Sequence, residues 1–199
     1  MDYYKIIAEN FQSTIETIAL SVDTLAQPIE RASQLMVRAL LEDRKILACG
    51  NGVDGALAQL FASNLLSRFE HDRPALPALA LSSDGASLTA IAQSGGINDV
   101  YSRQLRALGQ GGDILLCINS AGTAGNLLRA VQAAHERNMG VIALSNAADG
   151  ELSALLHAED VELRIDATRP PRVVELHTMS IHCLCELIEH SLFGSYNQE

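Results

Sequence analysis

Apolar residues recur at helical spacing over residues 2 to 43 and at strand-like spacing thereafter, so the chain reads as a helical lead followed by an alternating core. In the lead, Ile6, Ile7, Phe11, Ile15, Ile18 and Ala19 mark one stripe, and Ile29, Leu35, Met36, Leu40 and Leu41 mark a second. Proline lacks the amide a helix interior uses, so two helices are expected, broken near Gln27 and Pro28. So much helix ahead of the first strand has little sheet to cover, and its surplus apolar surface is expected to pack against another subunit.

From Lys45 onward, strands are expected over 45–49, 77–82, 113–119, 140–145 and 161–165. Helices or helical turns are expected over 55–68, 86–94, 97–108, 124–137 and 149–157. A last helix, from about Arg172 to Phe193, starts after Pro170 and Pro171 and buries Val173, Leu176, Ser180, Leu184 and Leu187 on one face. Strands that alternate with helices in this way form a parallel sheet, so the class is α/β. Ligands of such sheets bind beyond the carboxyl ends of the strands, which directs attention to Gly50–Gly55, Ser82–Ala86, Asn119–Gly125 and Ser145–Asp149.

The first of these loops is the most telling. Lys45-Ile-Leu-Ala-Cys-Gly-Asn-Gly-Val-Asp-Gly55 runs from an apolar strand through three glycines into a helix, where free backbone N–H groups and the helix dipole favour an anion. Asp54 opposes this with a carboxylate of its own. Gly50-x-Gly52-x-x-Gly55 also fits the dinucleotide fingerprint, but that site wants an acidic residue about 20 positions on, and the next one after a strand is Asp84. A nicotinamide or flavin cofactor is therefore not expected.

Length and composition narrow the field further. The 199 residues, 48% of them hydrophobic, suffice for one domain over 1–199, with helices over 1–43 and an α/β core over 44–199. No apolar run reaches the roughly 18 residues of a membrane span and the N-terminus lacks a secretory pattern, so a soluble, cytoplasmic protein is expected. A net charge of −10 without a dense basic cluster argues against direct contact with nucleic acid or an anionic membrane. Cys49, Cys117, Cys183 and Cys185 have no metal-type CxxC spacing and read as reduced core residues.

Several stretches together resemble one family in order along the whole chain: Cys49-Gly-Asn-Gly52, Arg68-Phe-Glu-x-x-Arg-Pro74, Gln104-x-Arg-Ala-Leu-Gly109, Gly112-Asp-Ile-Leu-Leu116, Arg172-x-x-Glu-Leu-His177 and Cys183-Leu-Cys-Glu-Leu-Ile188. The chain is similar to the SIS (sugar isomerase) domain family, in the branch of the phosphoheptose isomerases and the DnaA initiator-associating (DiaA) proteins. That resemblance implies a three-layer, flavodoxin-like fold of Rossmann type with a five-stranded parallel sheet, an N-terminal helical pair and a homotetramer with ligand sites near subunit interfaces.

It also implies where chemistry should sit. The family's His and Glu on the helix after the glycine loop correspond to Leu60 and Asn64, and its Gln and His on the last helix to Val174 and His182. Leucine has no lone pair for a metal and a carboxamide takes no proton from carbon, so neither zinc nor any other cofactor is expected. The family's hydroxyl-rich phosphate loop reads Asn119-Ser-Ala-Gly-Thr-Ala124, and its Asn-Asp substrate pair reads Gln93-Ser94.

The expected ligand-binding residues are Gly50, Asn51, Gly52, Asp54, Asn119, Ser120, Ala121, Thr123 and Ala124. No residue is assigned to catalysis outright. Glu175 and His182, seven apart on one helix face, remain as candidates, with a helix rise of about 10 Å between them. His177 reads as a packing residue, and Leu192 and Phe193 either contact a partner chain or cap the core.

On this reading the leading function is a non-catalytic binding or scaffolding tetramer, with the initiator DnaA as the partner implied by resemblance. The rival readings are an isomerase of sedoheptulose 7-phosphate or another phosphosugar, and a phosphosugar sensor.

Overall fold

Five short apolar strands pair side by side in the order β2-β1-β3-β4-β5, all parallel, in the computed structural model, which describes residues 1–122 and 124–194. They are β1 (Ile46–Gly50), β2 (Ala78–Ala80), β3 (Ile114–Ile118), β4 (Gly140–Asn146) and β5 (Val161–Ile165). β1 and β3 are buried at every residue, which is why they read as unbroken apolar runs. At the two edges the burial alternates, with Leu79 outward in β2 and Glu162 and Arg164 more open in β5.

Helices cover both faces, completing the three-layer α/β arrangement. On one face Ile46, Ala48, Leu116, Ile142 and Leu163 pack with α1 (Tyr3–Leu41), α2 (Val53–Leu66) and α7 (Pro170–Phe193) through Met36, Phe61 and Leu184. On the other, Leu47, Leu115, Val141 and Ala143 meet α4 (Val100–Leu108) and α5 (Gly125–Glu136) through Leu105, Leu127 and Val131. α3 (Gly85–Gly95) buries no residue, whereas α6 (Gly150–Leu155) is pinned by Leu152. Each fully buried Leu, Ile or Phe in these layers stabilises the fold by about 1.5–3 kcal/mol. Among the described residues, no helix is long and apolar enough to cross a membrane.

The expected break in the helical lead does not occur. α1 is one helix of 39 residues with Pro28 inside it. Proline removes one helix hydrogen bond and crowds the carbonyl of Thr24, at a cost of about 3 kcal/mol. Burial of Leu25 before it and of Ala32, Met36 and Ala39 after it, on one side of the helix, holds both halves in line. Pro28→Ala should therefore raise the unfolding free energy by about 1–2 kcal/mol, since the regained bond outweighs the freer unfolded chain. A denaturant midpoint that does not rise would show that α1 is strained elsewhere.

Smaller differences follow from local packing. The helix expected over 97–108 divides into a single 3-10 turn at Ile97–Asp99 and α4, and Leu187 of α7 is 37% exposed rather than on the buried face. The first half of α1 leaves Tyr3, Ile6, Ile7, Phe11 and Ile15 open to solvent.

Candidate functional site

Because all five strands run the same way, the loops after Gly50, Ala80, Ile118 and Asn146 share the carboxyl edge of the sheet. Two glycines shape the first loop. A Cβ on Gly50 would sit 2.6 Å from the backbone of Asp54, and Gly52 has φ of +56°, a conformation that side chains disfavour.

Hydrogen bonds then lace the four loops together. Tyr101 donates its hydroxyl to the Gly50 carbonyl at 2.5 Å, and Ser82 donates to that of Gly55 at 3.0 Å. The carboxamides of Asn51 and Asn126 exchange bonds of 2.9 and 2.7 Å, which ties the glycine loop to the start of α5. Asn119 donates to the Gly122 carbonyl at 2.7 Å and to the carboxylate of Asp149, while Asn146 donates to the Asn119 carbonyl at 3.2 Å.

Asp54 takes a position its sequence context did not reveal. Its side chain is buried, and its Oδ2 accepts the Ser120 N–H at 2.9 Å, while Oδ1 has no partner among the described residues. The loop thus brings its own anion to an amide that a phosphate would otherwise use. A carboxylate within about 8–10 Å repels a bound anion by about 2 kcal/mol at an effective dielectric of 20. Asp54→Asn keeps an acceptor for Ser120 and removes the charge, so the Kd for a phosphate-bearing ligand at this loop should fall by about thirtyfold. Unchanged affinity in a calorimetric titration would place the phosphate away from this loop.

Gly50, Asn51, Gly52, Asp54, Asn119 and Ser120 therefore lie at one edge of the sheet, with Ala121 exposed and Ala124 capping α5. Thr123 lies outside the described residues. Asn126, Tyr101, Asn146 and Asp149 were missed. The last two fall in or beside the Ser145–Asp149 loop already singled out, so their polarity was a usable signal, whereas nothing near Tyr101 in sequence points to Gly50.

Beneath the loops the chemistry is quiet. The Cys117 thiol, hydrogen-bonded to that of Cys49 and wholly buried, stays far above its ordinary pKa, and burial pushes that of Cys185 up to about 12. Neither is a nucleophile. All four cysteines are free, three buried and Cys183 half-buried.

His177 is fully buried, its Nε2 3.1 Å from the Ser145 carbonyl and its Nδ1 without a partner among the described residues. Burial pushes its pKa below the ordinary 6.5, against the smaller opposing pulls of the Ser145 carbonyl and the Asp54 charge. The unfolded chain therefore takes the proton first, and stability present above pH 6.5 is lost as pH falls toward the lowered value, by up to about 1.4 kcal/mol per pH unit. Unfolding free energies measured between pH 7 and 5 should slope accordingly, and His177→Gln should flatten the slope.

The positions the resemblance marks for acid–base groups lie between α2 and α7. Leu60 packs half-buried on the core, and the Asn64 carboxamide faces Cys185 Sγ at 3.9 Å. Val174 is likewise half-buried against the core, and His182 is exposed with its ring centroid 5.6 Å from that of Phe69. One imidazole without further donors does not hold zinc, so these residues do not fit the family's metal site.

Glu175 belongs to a different neighbourhood. It pairs with Arg172 at 2.7 Å and accepts from Thr14 at 2.9 Å, beside a cavity of about 290 Å³ bounded by Asn10, Phe11 and Ile15 of α1. Glu175 and His182 thus have separate partners on the one helix. Gln93 and Ser94 are exposed at the end of α3. Leu192 and Phe193 lie half-buried against the chain's own core, with the Arg73 guanidinium 6.0 Å from the Phe193 ring centroid.

Comparison with known proteins gives this geometry a lineage. The SIS domain model matches residues 10–146. The phosphoheptose isomerase of Chromohalobacter salexigens is 46% identical over 98% of this chain and 99% of its own. Among solved structures, a phosphoheptose isomerase from Francisella tularensis superposes with a TM-score of 0.92 at 38% identity, covering 96% of this chain and all of that one. That of Neisseria gonorrhoeae gives 0.89 at 39% identity, over 94% and 98%.

These relatives overturn the expectation of a non-catalytic scaffold, and with it the leaning against an enzyme. Chains so similar from end to end are named for an isomerase activity, so the replacement of two side chains on α2 is no longer a sufficient ground for inferring its loss. With one fold in common and 46% identity over nearly the full length, the chain belongs to the SIS domain family and is homologous to its phosphoheptose isomerases.

Proposed function

We propose that this chain is a phosphosugar isomerase of the phosphoheptose class, interconverting an aldose and a ketose phosphate such as sedoheptulose 7-phosphate at the carboxyl edge of its sheet. The observation that carries the reading is the 46% identity with a phosphoheptose isomerase over 98% of the chain, which leaves no segment of the fold unaccounted for. The laced loops supply a polar rim for the sugar through Asn51, Ser120 and the backbone of the glycine loop.

Aldose–ketose isomerisation carries a proton between neighbouring carbons and needs a base beside the sugar. Leu60 and Asn64 offer none, so we assign the proton transfers to Glu175 and His182 of α7, which have separate partners and a helix rise of about 10 Å between them, so the sugar phosphate must bridge the two. Assembly into a homotetramer belongs to the same reading, supported by the exposed apolar residues Tyr3, Ile6, Ile7, Phe11 and Ile15 on α1, which water covers at a cost.

The test is direct. Purified protein in deuterium oxide with sedoheptulose 7-phosphate should form the aldose phosphate in proportion to enzyme, with solvent deuterium entering at the carbon that accepts the proton. Because the residues do not fit zinc at this edge, a chelator should leave the rate unchanged. Binding of the sugar phosphate without product or exchange would overturn the proposal.

A further inference from the structure

At the amino edge of the sheet, opposite the crevice, three segments bring together two imidazoles and a carboxylate. His135 lies in the last turn of α5, His157 follows α6, and Asp160 directly precedes β5. His135 Nε2 is 2.8 Å from Asp160 Oδ2, and the two imidazoles stack with centroids 3.7 Å apart at 13°. One ligand atom from each of the three residues lies within 4.8 Å of the others.

The carboxylate is oriented by main chain. Its Oδ1 accepts the Val141 N–H at 2.9 Å and its Oδ2 the His157 N–H at 2.8 Å, and its side chain is 4% exposed. His135 is largely covered as well, while His157 opens to solvent, so the group has a fixed floor and one movable wall.

We propose that His135, His157 and Asp160 form a site for a divalent transition-metal ion of the zinc type. Two imidazole nitrogens with one carboxylate oxygen suit zinc, nickel, copper or cobalt and are a poor match for magnesium or calcium, which want oxygen donors. Bonds of about 2.0–2.2 Å to a tetrahedral ion place its donors about 3.3 Å apart. The His135–Asp160 pair need open by only about half an ångström, with the ring proton moving to Nδ1 of the neutral imidazole.

Stacked rings aim their lone pairs in parallel, so His157 must turn out of the stack, which its exposure permits. Water completes the coordination. β5 spans five residues, about 16 Å, so the ion sits well away from the crevice and joins α5 to the start of β5 without touching the sugar.

Calorimetric titration of the full-length protein with zinc chloride tests this. The wild type should bind one ion at this edge with a Kd of about 1–10 µM, gain thermal stability with zinc, and give no response to magnesium chloride. His157→Ala, which leaves the backbone bonds to Asp160 in place, should weaken zinc binding by about tenfold or more and abolish the stabilisation. His135→Gln is the second variant and should do the same. Zinc binding absent below about 100 µM, or of equal strength in both variants and the wild type, would overturn the proposal and leave His135 and Asp160 as a pair that staples two segments.

Discussion

Arg73→Met is expected to lower the unfolding free energy by about 3–5 kcal/mol, the usual scale for stranding a buried charge. Arg73 and Glu189 are both almost wholly buried, with Nε to Oε1 at 2.8 Å. The guanidinium also donates to the carbonyls of Asn64 and Leu65 at 2.7 Å each and to that of Pro74 at 3.0 Å, so it satisfies the open C-terminal end of α2. Glu189 in turn accepts the N–H groups of Phe69, Glu70 and His71 at 2.8, 3.3 and 3.4 Å. Methionine replaces the stem of Arg73 but none of these bonds, leaving a carboxylate and the Asn64 carbonyl short of a partner, while that of Leu65 keeps the N–H of Leu76 at 3.0 Å.

Acid should reach the same pair in the wild type. Burial by itself raises the Glu189 pKa, but the backbone donors and Arg73 outweigh it and hold the carboxyl below its ordinary 4.5. A lowered folded value means that this stabilisation is complete above pH 4.5 and drains away as pH falls through the folded pKa. Urea unfolding of the wild type, Arg73→Met and the double variant Arg73→Met/Glu189→Leu separates the terms. The double variant should recover part of the loss, because it removes the stranded charge along with its partner. A loss below about 1 kcal/mol in the single variant would mean that water reaches Glu189.

The Arg73 network also shows what was legible in the sequence. Arg68-Phe-Glu-x-x-Arg-Pro74 and the Cys183–Ile188 run read only as motifs of a resemblance. The physical reason for Arg73 in the first of them is its contact with Glu189, just past the end of the second and more than 110 positions away, which no local pattern encodes. Strands were legible because β1, β3 and β4 are buried on both faces and leave apolar runs, and the crevice was legible because a parallel sheet sends all its carboxyl ends to one edge. Pro28 misled because the cost of a proline is local and the burial of Leu25, Ala32 and Met36 that offsets it is not.

Asp54 misled in a related way. Its charge is visible in the sequence, but its direction depends on Ser120, which arrives from another loop. The inference about function failed at a different link. It weighed Leu60 and Asn64 as though two side chains decided the activity, whereas proton transfer requires only that some base and acid reach the sugar, and α7 carries both kinds of group.

Glu175→Gln is therefore expected to cut the turnover of sedoheptulose 7-phosphate by about 10²–10⁴-fold while changing stability by no more than about 1 kcal/mol. The carboxylate is 37% exposed, so its bond to Arg172 contributes little to folding; glutamine keeps one carbonyl oxygen as an acceptor for Arg172, which also donates to the Asn10 carbonyl, and turns its NH2 group toward the Thr14 hydroxyl. Glutamine cannot take the proton. Loss confined to kcat, with KM nearly unchanged, is what removal of a proton-transferring group predicts, whereas loss of a merely structural contact would move the melting temperature or KM instead. His182→Gln should cost less, because an exposed imidazole acting as the acid is in part replaced by water. If both variants turn over at the wild-type rate, the base lies elsewhere at the carboxyl edge, and the buried carboxylates of Asp54 and Asp149, each with one oxygen unpartnered among the described residues, are the next groups to replace.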